Sequence, residues 1–186
     1  MQPAAARVQA TLRALGVSAE VSELSESART AADAAAACGV AVGQIVKSLV
    51  FVAGDEAILV LVSGANQADE RRLRALTGQP VRRADADTVR RATGFAIGGV
   101  PPVGHPRPLR TFLDRDLLGY DRLVAAAGTP HAVFSLTPAE LLRLTGGEVT
   151  DVKRDGDGAG TPPPPRGPDP RGGPGGRARE GESECA

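Results

Sequence analysis

Apolar residues recur first at helical and then at strand spacing along this chain, and the switches between the two mark its elements. Within residues 5–15, Val8, Leu12 and Leu15 fall three to four positions apart ahead of Gly16, which predicts a first helix with a glycine C-cap. Residues 19–24 alternate as a short strand. Thr30 stands as N-cap before an alanine-rich helix that runs to Cys38 and closes at Gly39. Residues 44–52 and 56–62 are β-branched and apolar, and the Ala53-Gly54-Asp55 break between them predicts a hairpin. Residues 68–76 turn Leu73 and Leu76 inward and Arg71, Arg72 and Arg74 outward, ending at Gly78. A short strand over 80–83 and a helix over 85–92 follow. Strands are predicted at 109–113, 122–127 and 131–136. Thr137-Pro138-Ala139-Glu140 then opens a last helix with a capping box, and residues 149–152 form an edge strand.

Between the helix at 85–92 and the strand at 109 lies a stretch of alternating freedom and restraint. Gly94, Gly98, Gly99 and Gly104 are interleaved with Pro101, Pro102, Pro106 and Pro108. Glycine permits positive φ and close approach to the main chain, while proline fixes φ and removes a donor. Such an ordered loop presents backbone groups to a ligand; a merely tight connection accounts for the same composition.

Composition narrows the classes. The 186 residues carry 22 basic and 22 acidic side chains, so no bulk positive field exists to coat nucleic acid, and any RNA contact must come from a local arginine patch. From residue 155 onward the chain is Gly, Pro, Arg and Glu with little to bury, which predicts one domain over residues 1–154 followed by a disordered tail over 155–186. Cys38 and Cys185 make neither a disulfide framework nor a metal quartet. With no leader and no apolar run of bilayer length, a cytoplasmic protein is expected.

The chemistry is sparse. No nucleotide-binding glycine fingerprint, phosphate-loop lysine or paired zinc histidines occur, so neither metal nor cofactor is expected. Ser63 ends a strand without the glycines of a nucleophile elbow, which favours a structural serine over an esterase. Lys47 lies inside an apolar strand, and only Lys153 shares its residue type in a chain that otherwise uses arginine. A compact ammonium is therefore wanted at Lys47, although a solvent-facing strand position would also explain it. His105 and His131 each follow a Gly or Pro break and suit a hydrogen-bonding accessory role.

Three motifs taken together resemble a known family. Gln44-Ile45-Val46-Lys47-Ser48-Leu49-Val50-Phe51, the stretch from Thr93 through Gly98, Gly99, Pro101 and Pro102 to His105, and Gly128-Thr129-Pro130-His131 resemble the YbaK/ProX superfamily, the synthetase-associated editing domains. The resemblance implies an α/β fold with a mixed, partly barrel-like sheet flanked by helices. It implies hydrolysis of mischarged aminoacyl-tRNA by a free-standing protein, on tRNA-Pro or a related tRNA carrying a small wrong amino acid. It places Lys47, Gly98 and Gly99 in catalysis, and Thr30, Pro101, Pro102, Gly104, His105, Gly128 and His131 at the substrate. The implied partners are aminoacyl-tRNA and a synthetase, with neither membrane nor DNA, in a monomer or weak homodimer. A non-catalytic RNA- or nucleotide-binding module using Arg71, Arg72, Arg74, Arg90 and Arg91 as a phosphate track is the alternative.

Overall fold

The structure, a computed structural model, describes residues 1–156; of the tail expected over 155–186 only Asp155 and Gly156 are described, and the rest, with Cys185, lies outside the described residues. Among these, five helices flank one mixed eight-stranded sheet. The helices are α1 (Pro3–Ala14), α2 (Ala31–Cys38), α3 (Glu70–Thr77), α4 (Ala86–Thr93) and α5 (Pro138–Thr145). The strands are β1 (Ser22–Glu23), β2 (Ile45–Ala53), β3 (Glu56–Ser63), β4 (Val81–Arg83), β5 (Arg110–Asp114), β6 (Leu123–Ala126), β7 (Ala132–Leu136) and β8 (Glu148–Thr150). Their order is β1-β7-β6-β2-β3-β5-β8, with β4 added on β2.

Local chemistry explains most boundaries. The hydroxyls of Thr30 and Thr137 accept from the backbone N–H groups of Asp33 and Glu140, and both carboxylates reach back to the cap N–H, giving the two capping boxes. Asp69 caps α3 by accepting from the Arg71 N–H at 2.8 Å, so the helix begins at Glu70 rather than at 68. The strand expected over 19–24 shrinks to Ser22–Glu23. There Gln9 takes a strand's place, donating to the Ala19 carbonyl at 3.1 Å and accepting from the Val21 N–H at 2.7 Å. The expected edge strand at 149–152 is met by β8, which pairs parallel with β5. The chain then peels away so that Val152 accepts from Asp69 N–H at 2.8 Å.

The hairpin of β2 and β3 is the spine, with Ala53 opposite Glu56 across its turn. Strand alternation sends Val46 and Val50 with Leu59 and Leu61 into a core shared with Ala5, Val8 and Leu12 of α1, Val89 of α4 and Leu141 of α5. Phe51, Ile58, Val60 and Val62 face the other way, onto Leu73 of α3 and Phe112. Each such fully buried side chain contributes about 1.5–3 kcal/mol, so both faces of the spine are anchored. Ile45 and Val124 carry α2 through Ala34 and Ala35.

Candidate active site

Strand β2 changes partner along one edge. Ile45 and Val46 pair there in parallel with Val124 and Ala125 of β6, and Phe51, Val52 and Ala53 pair antiparallel with β4. Residues 47–50 have no strand beside them on this edge. Because the Val50 carbonyl accepts from Ala84 N–H at 3.2 Å on that side, strand alternation turns the N–H and C=O of Ser48 toward the gap as well. The Ser48 hydroxyl is also buried without a hydrogen-bond partner among the described residues. A cleft of about 290 Å³ opens at this split.

The cleft is apolar within and cationic at its lips. Val46, Val50, Val100, Ala125 and Ala132 line it, joined by Arg29, Lys47 and Arg83, and no carboxylate is among its lining residues. Arg83 is held with its guanidinium 5.7 Å from the Phe51 ring centre. A slot of this kind suits a substrate that is part apolar and part anionic, since cationic side chains attract phosphate while apolar walls take an apolar group.

The glycine-proline loop forms the facing lip. Its base is locked: Arg7 donates to the Gly94 carbonyl at 2.8 Å and stacks 4.1 Å over the ring of Phe95, which is buried. Ala96, Ile97 and Gly98 then project outward, with Ile97 60% exposed beside the cleft. Gly98 adopts φ 88°, which only glycine takes without strain. Gly99 N–H donates to the Ala96 carbonyl at 3.1 Å, and its carbonyl accepts from Gly128 N–H at 2.9 Å, so its main-chain groups weld the loop to the 128–131 turn. His105 Nε2 lies 2.9 Å from the Pro101 carbonyl; against a carbonyl it must carry the proton. Burial keeps the imidazole pKa below its ordinary value, only partly offset by that hydrogen bond.

Lys47 is half-buried and its ammonium donates to the Asn66 carbonyl. Behind Asn66 lies a polar cluster that sequence reasoning missed. Asn66 and Asp114 are each 1% exposed; the Asn66 amide donates to Asp114 Oδ2 at 2.9 Å and to Asp116 Oδ2 at 2.8 Å. Lys153 closes on Asp116 at 2.6 Å. Burial pushes the Asp116 carboxyl up, but the hydrogen bonds from Lys153 and Asn66 and the lysine charge outweigh it, leaving it below the usual carboxylate range.

Of the predicted site residues, Lys47, Gly98 and Thr30 line one cleft. Gly99, Pro101, Pro102 and Gly128 are buried behind its wall, and Gly104, His105 and His131 stand half-buried outside the lining. The Thr30 hydroxyl also serves as the α2 cap. Ile97, Ser48, Thr129, Pro130, Arg29 and Arg83 line the cleft without having been singled out. All of these but Arg83 adjoin a residue that was. Ser63 is 1% exposed and donates to the Gly43 carbonyl at 2.8 Å, a structural serine as the sequence favoured. The arginines of α3 are engaged: Arg72 binds Asp151 at 2.5 Å and also Asp155, Arg71 reaches Asp69 and Arg74 reaches Glu70. A phosphate track along α3 is thereby weakened. Among the described residues no cluster of metal-ligating side chains occurs, and no helix is long and apolar enough to cross a membrane.

Residues 25–144 match the family model of the aminoacyl-tRNA editing domain. The chain belongs to that family, the YbaK/ProX-type group its motifs resemble, and is an aminoacyl-tRNA editing hydrolase. Among individual proteins, it is 33% identical over 138 residues to the uncharacterized protein YwhH of Bacillus subtilis (strain 168), covering 73% of this chain and 88% of that one. It is 25% identical to EbsC of Enterococcus faecalis, named as a candidate Cys-tRNA(Pro)/Cys-tRNA(Cys) deacylase, over 69% of this chain and 79% of the relative. A crystal structure described as a candidate trans-editing enzyme for prolyl-tRNA synthetase superposes with a TM-score of 0.80 at 54% identity, covering 83% of this chain and 99% of the other.

Proposed function

We propose that the protein acts in trans on tRNA-Pro or a related tRNA charged with a small wrong amino acid, and that the split edge of β2 is where the ester is cut. The observation that carries this reading is that Lys47 and the Gly98 lip line one largely apolar cleft with no carboxylate in its lining. The terminal ribose and phosphate lie toward Arg29, Arg83 and Lys47, and the amino-acid side chain enters among Val46, Val50, Val100 and Ala125. Small, branched walls there leave room for a short side chain.

In the reaction, a water oxygen bonds to the ester carbonyl carbon and the carbonyl oxygen becomes an oxyanion. The Lys47 ammonium and the Gly98 main chain stabilise that charge, which is worth more in a dry site than in water. The bond to the ribose oxygen then breaks, and the proton lost by water ends on the ribose, whose own neighbouring hydroxyl can relay it. Free amino acid and uncharged tRNA result. No side-chain base is required, in keeping with a cleft lined by neither histidine nor carboxylate.

A synthetase for the same tRNA is the partner expected in this scheme. The test is deacylation of a panel of mischarged tRNAs by catalytic amounts of protein. Turnover on small wrong amino acids and none on the correct pairs supports the reading; stoichiometric RNA binding without release of amino acid refutes it in favour of a binding module.

A further inference from the structure

Lys47 is a long, flexible side chain on a strand with an unpaired edge, so its strand alone does not fix where the ammonium sits. One acceptor of its ammonium, the Asn66 carbonyl, belongs to the loop after β3, and loop carbonyls point wherever the local turn sends them. Here the turn is pinned from behind. Both amide hydrogens of Asn66 are taken by carboxylates, Asp114 Oδ2 at 2.9 Å and Asp116 Oδ2 at 2.8 Å, and that pairing admits only one orientation of the amide. Asp114 in turn accepts from the Ser63 N–H at 3.1 Å and, through Oδ1, from the Asp116 N–H at 3.1 Å, so the end of β3 and the end of β5 share one buried carboxylate. Lys153 neutralises Asp116 at 2.6 Å. The segment carrying Lys153 is itself stitched to the loop: Ala68 bridges Lys153, and Arg154 N–H donates to the Gln67 carbonyl at 2.9 Å.

We infer that Asn66, Asp114, Asp116 and Lys153 form a positioning relay that sets where the ammonium of the cleft-lining Lys47 sits by holding the Asn66 carbonyl in place. The short segment at Lys153 just beyond β8 thereby takes part in the site, although its neighbour Val152 packs with Leu73 and Phe112 and the loop residues Phe95 and Val100 pack in the other core cluster. The inference rests on the reading that Lys47 acts on the ester. Buried groups bonded in this way are costly to leave half satisfied, so loss of one member shifts the others rather than leaving a passive gap.

The experiment is a mutant cycle on the full chain, read as kcat and KM for a mischarged tRNA and normalised to folded protein. Asn66→Ala is expected to lower kcat by about 10- to 100-fold, the scale of an ångström-sized misplacement, with KM changed by no more than about twofold. Lys153→Met should give a smaller loss in the same sense, and Lys153→Arg should restore most of it. In a Lys47→Ala background neither Asn66→Ala nor Lys153→Met should lower kcat further, because the group they aim is gone. Losses that multiply in that background overturn the relay while leaving the role of Lys47 intact, as does an unchanged kcat in both single variants. A normal rate in Lys47→Ala itself overturns the reading of the site and the relay with it. Where Asn66→Ala does not fold, the Lys153 pair and its cycle with Lys47→Ala decide the matter alone.

Discussion

Gly99→Ala tests how tightly the lip loop is fused to the turn at 128–131. An ideal Cβ on Gly99 would sit 2.7 Å from Thr129 Cα and 2.8 Å from the carbonyl carbon and oxygen of Gly128. All three are main-chain atoms, which cannot swing aside as a side chain can. Carbon atoms in ordinary contact lie about 3.5–4.0 Å apart, so the two segments must separate by about 0.8 Å. That movement overpacks the joint at a cost of about 2 kcal/mol and stretches the Gly128-to-Gly99 hydrogen bond, worth about 1 kcal/mol more. For a domain of this size about 3 kcal/mol lowers the melting temperature by about 6–12 °C. Gly98→Ala is the control. Its Cβ meets only Pro130 Cγ at 3.7 Å, so the penalty is the positive φ of 88°, about 1–2 kcal/mol, and the methyl stands at the cleft proposed to take the ester. Thermal unfolding followed by circular dichroism, with deacylation per folded molecule measured in parallel, should therefore separate the two. Gly99→Ala loses mainly stability and Gly98→Ala mainly turnover. A Gly99→Ala protein melting within about 2 °C of the parent would refute the packing argument.

Lys47→Ala should lose about 2–4 kcal/mol of transition-state stabilisation in kcat/KM, and Lys47→Arg should not recover it, because a planar fork cannot replace a compact ammonium in a narrow slot. Burial holds the His105 imidazole below its ordinary pKa of 6.5, so as pH falls through that value the unfolded chain gains a proton that the folded chain resists. Stability is thus full above that pH and declines toward the lowered folded value. His105→Gln, followed by melting temperature against pH, should flatten the decline, and an unchanged slope would show that another group drives it. With no metal-binding cluster among the described residues, deacylation should persist after exhaustive chelation; loss with EDTA and recovery with zinc would contradict this.

Local patterns carried the elements a long way. The N-cap at Thr30, the capping box at Thr137, the glycine stops at Gly39 and Gly78 and the β2–β3 hairpin depend on residues within a few positions of one another, and they appear where the pattern placed them. The pairing of β2 with β6 and of β3 with β5 depends on residues far apart in sequence, for which no local signal exists. The cleft is a product of that distant pairing, so Ser48 and Ile97 could not be singled out although Lys47 could. Asn66 and Asp114 were illegible for the same reason: an asparagine in a loop and an aspartate at a strand end look like turn residues until the fold brings them within 2.9 Å.

The split edge of β2 also orders events in time. Hairpin pairing of β2 with β3 closes across a two-residue turn, a microsecond event on the scale of about 1–10 μs. The wall supplied by β6 joins Ile45 to Val124, closing a loop of about 80 residues at a higher entropic cost. During synthesis the lysine strand emerges early and waits for its far wall. A nascent chain that stops before Leu123 holds the hairpin and Lys47 but no cleft, so hydrolytic competence arises only when the domain is nearly whole.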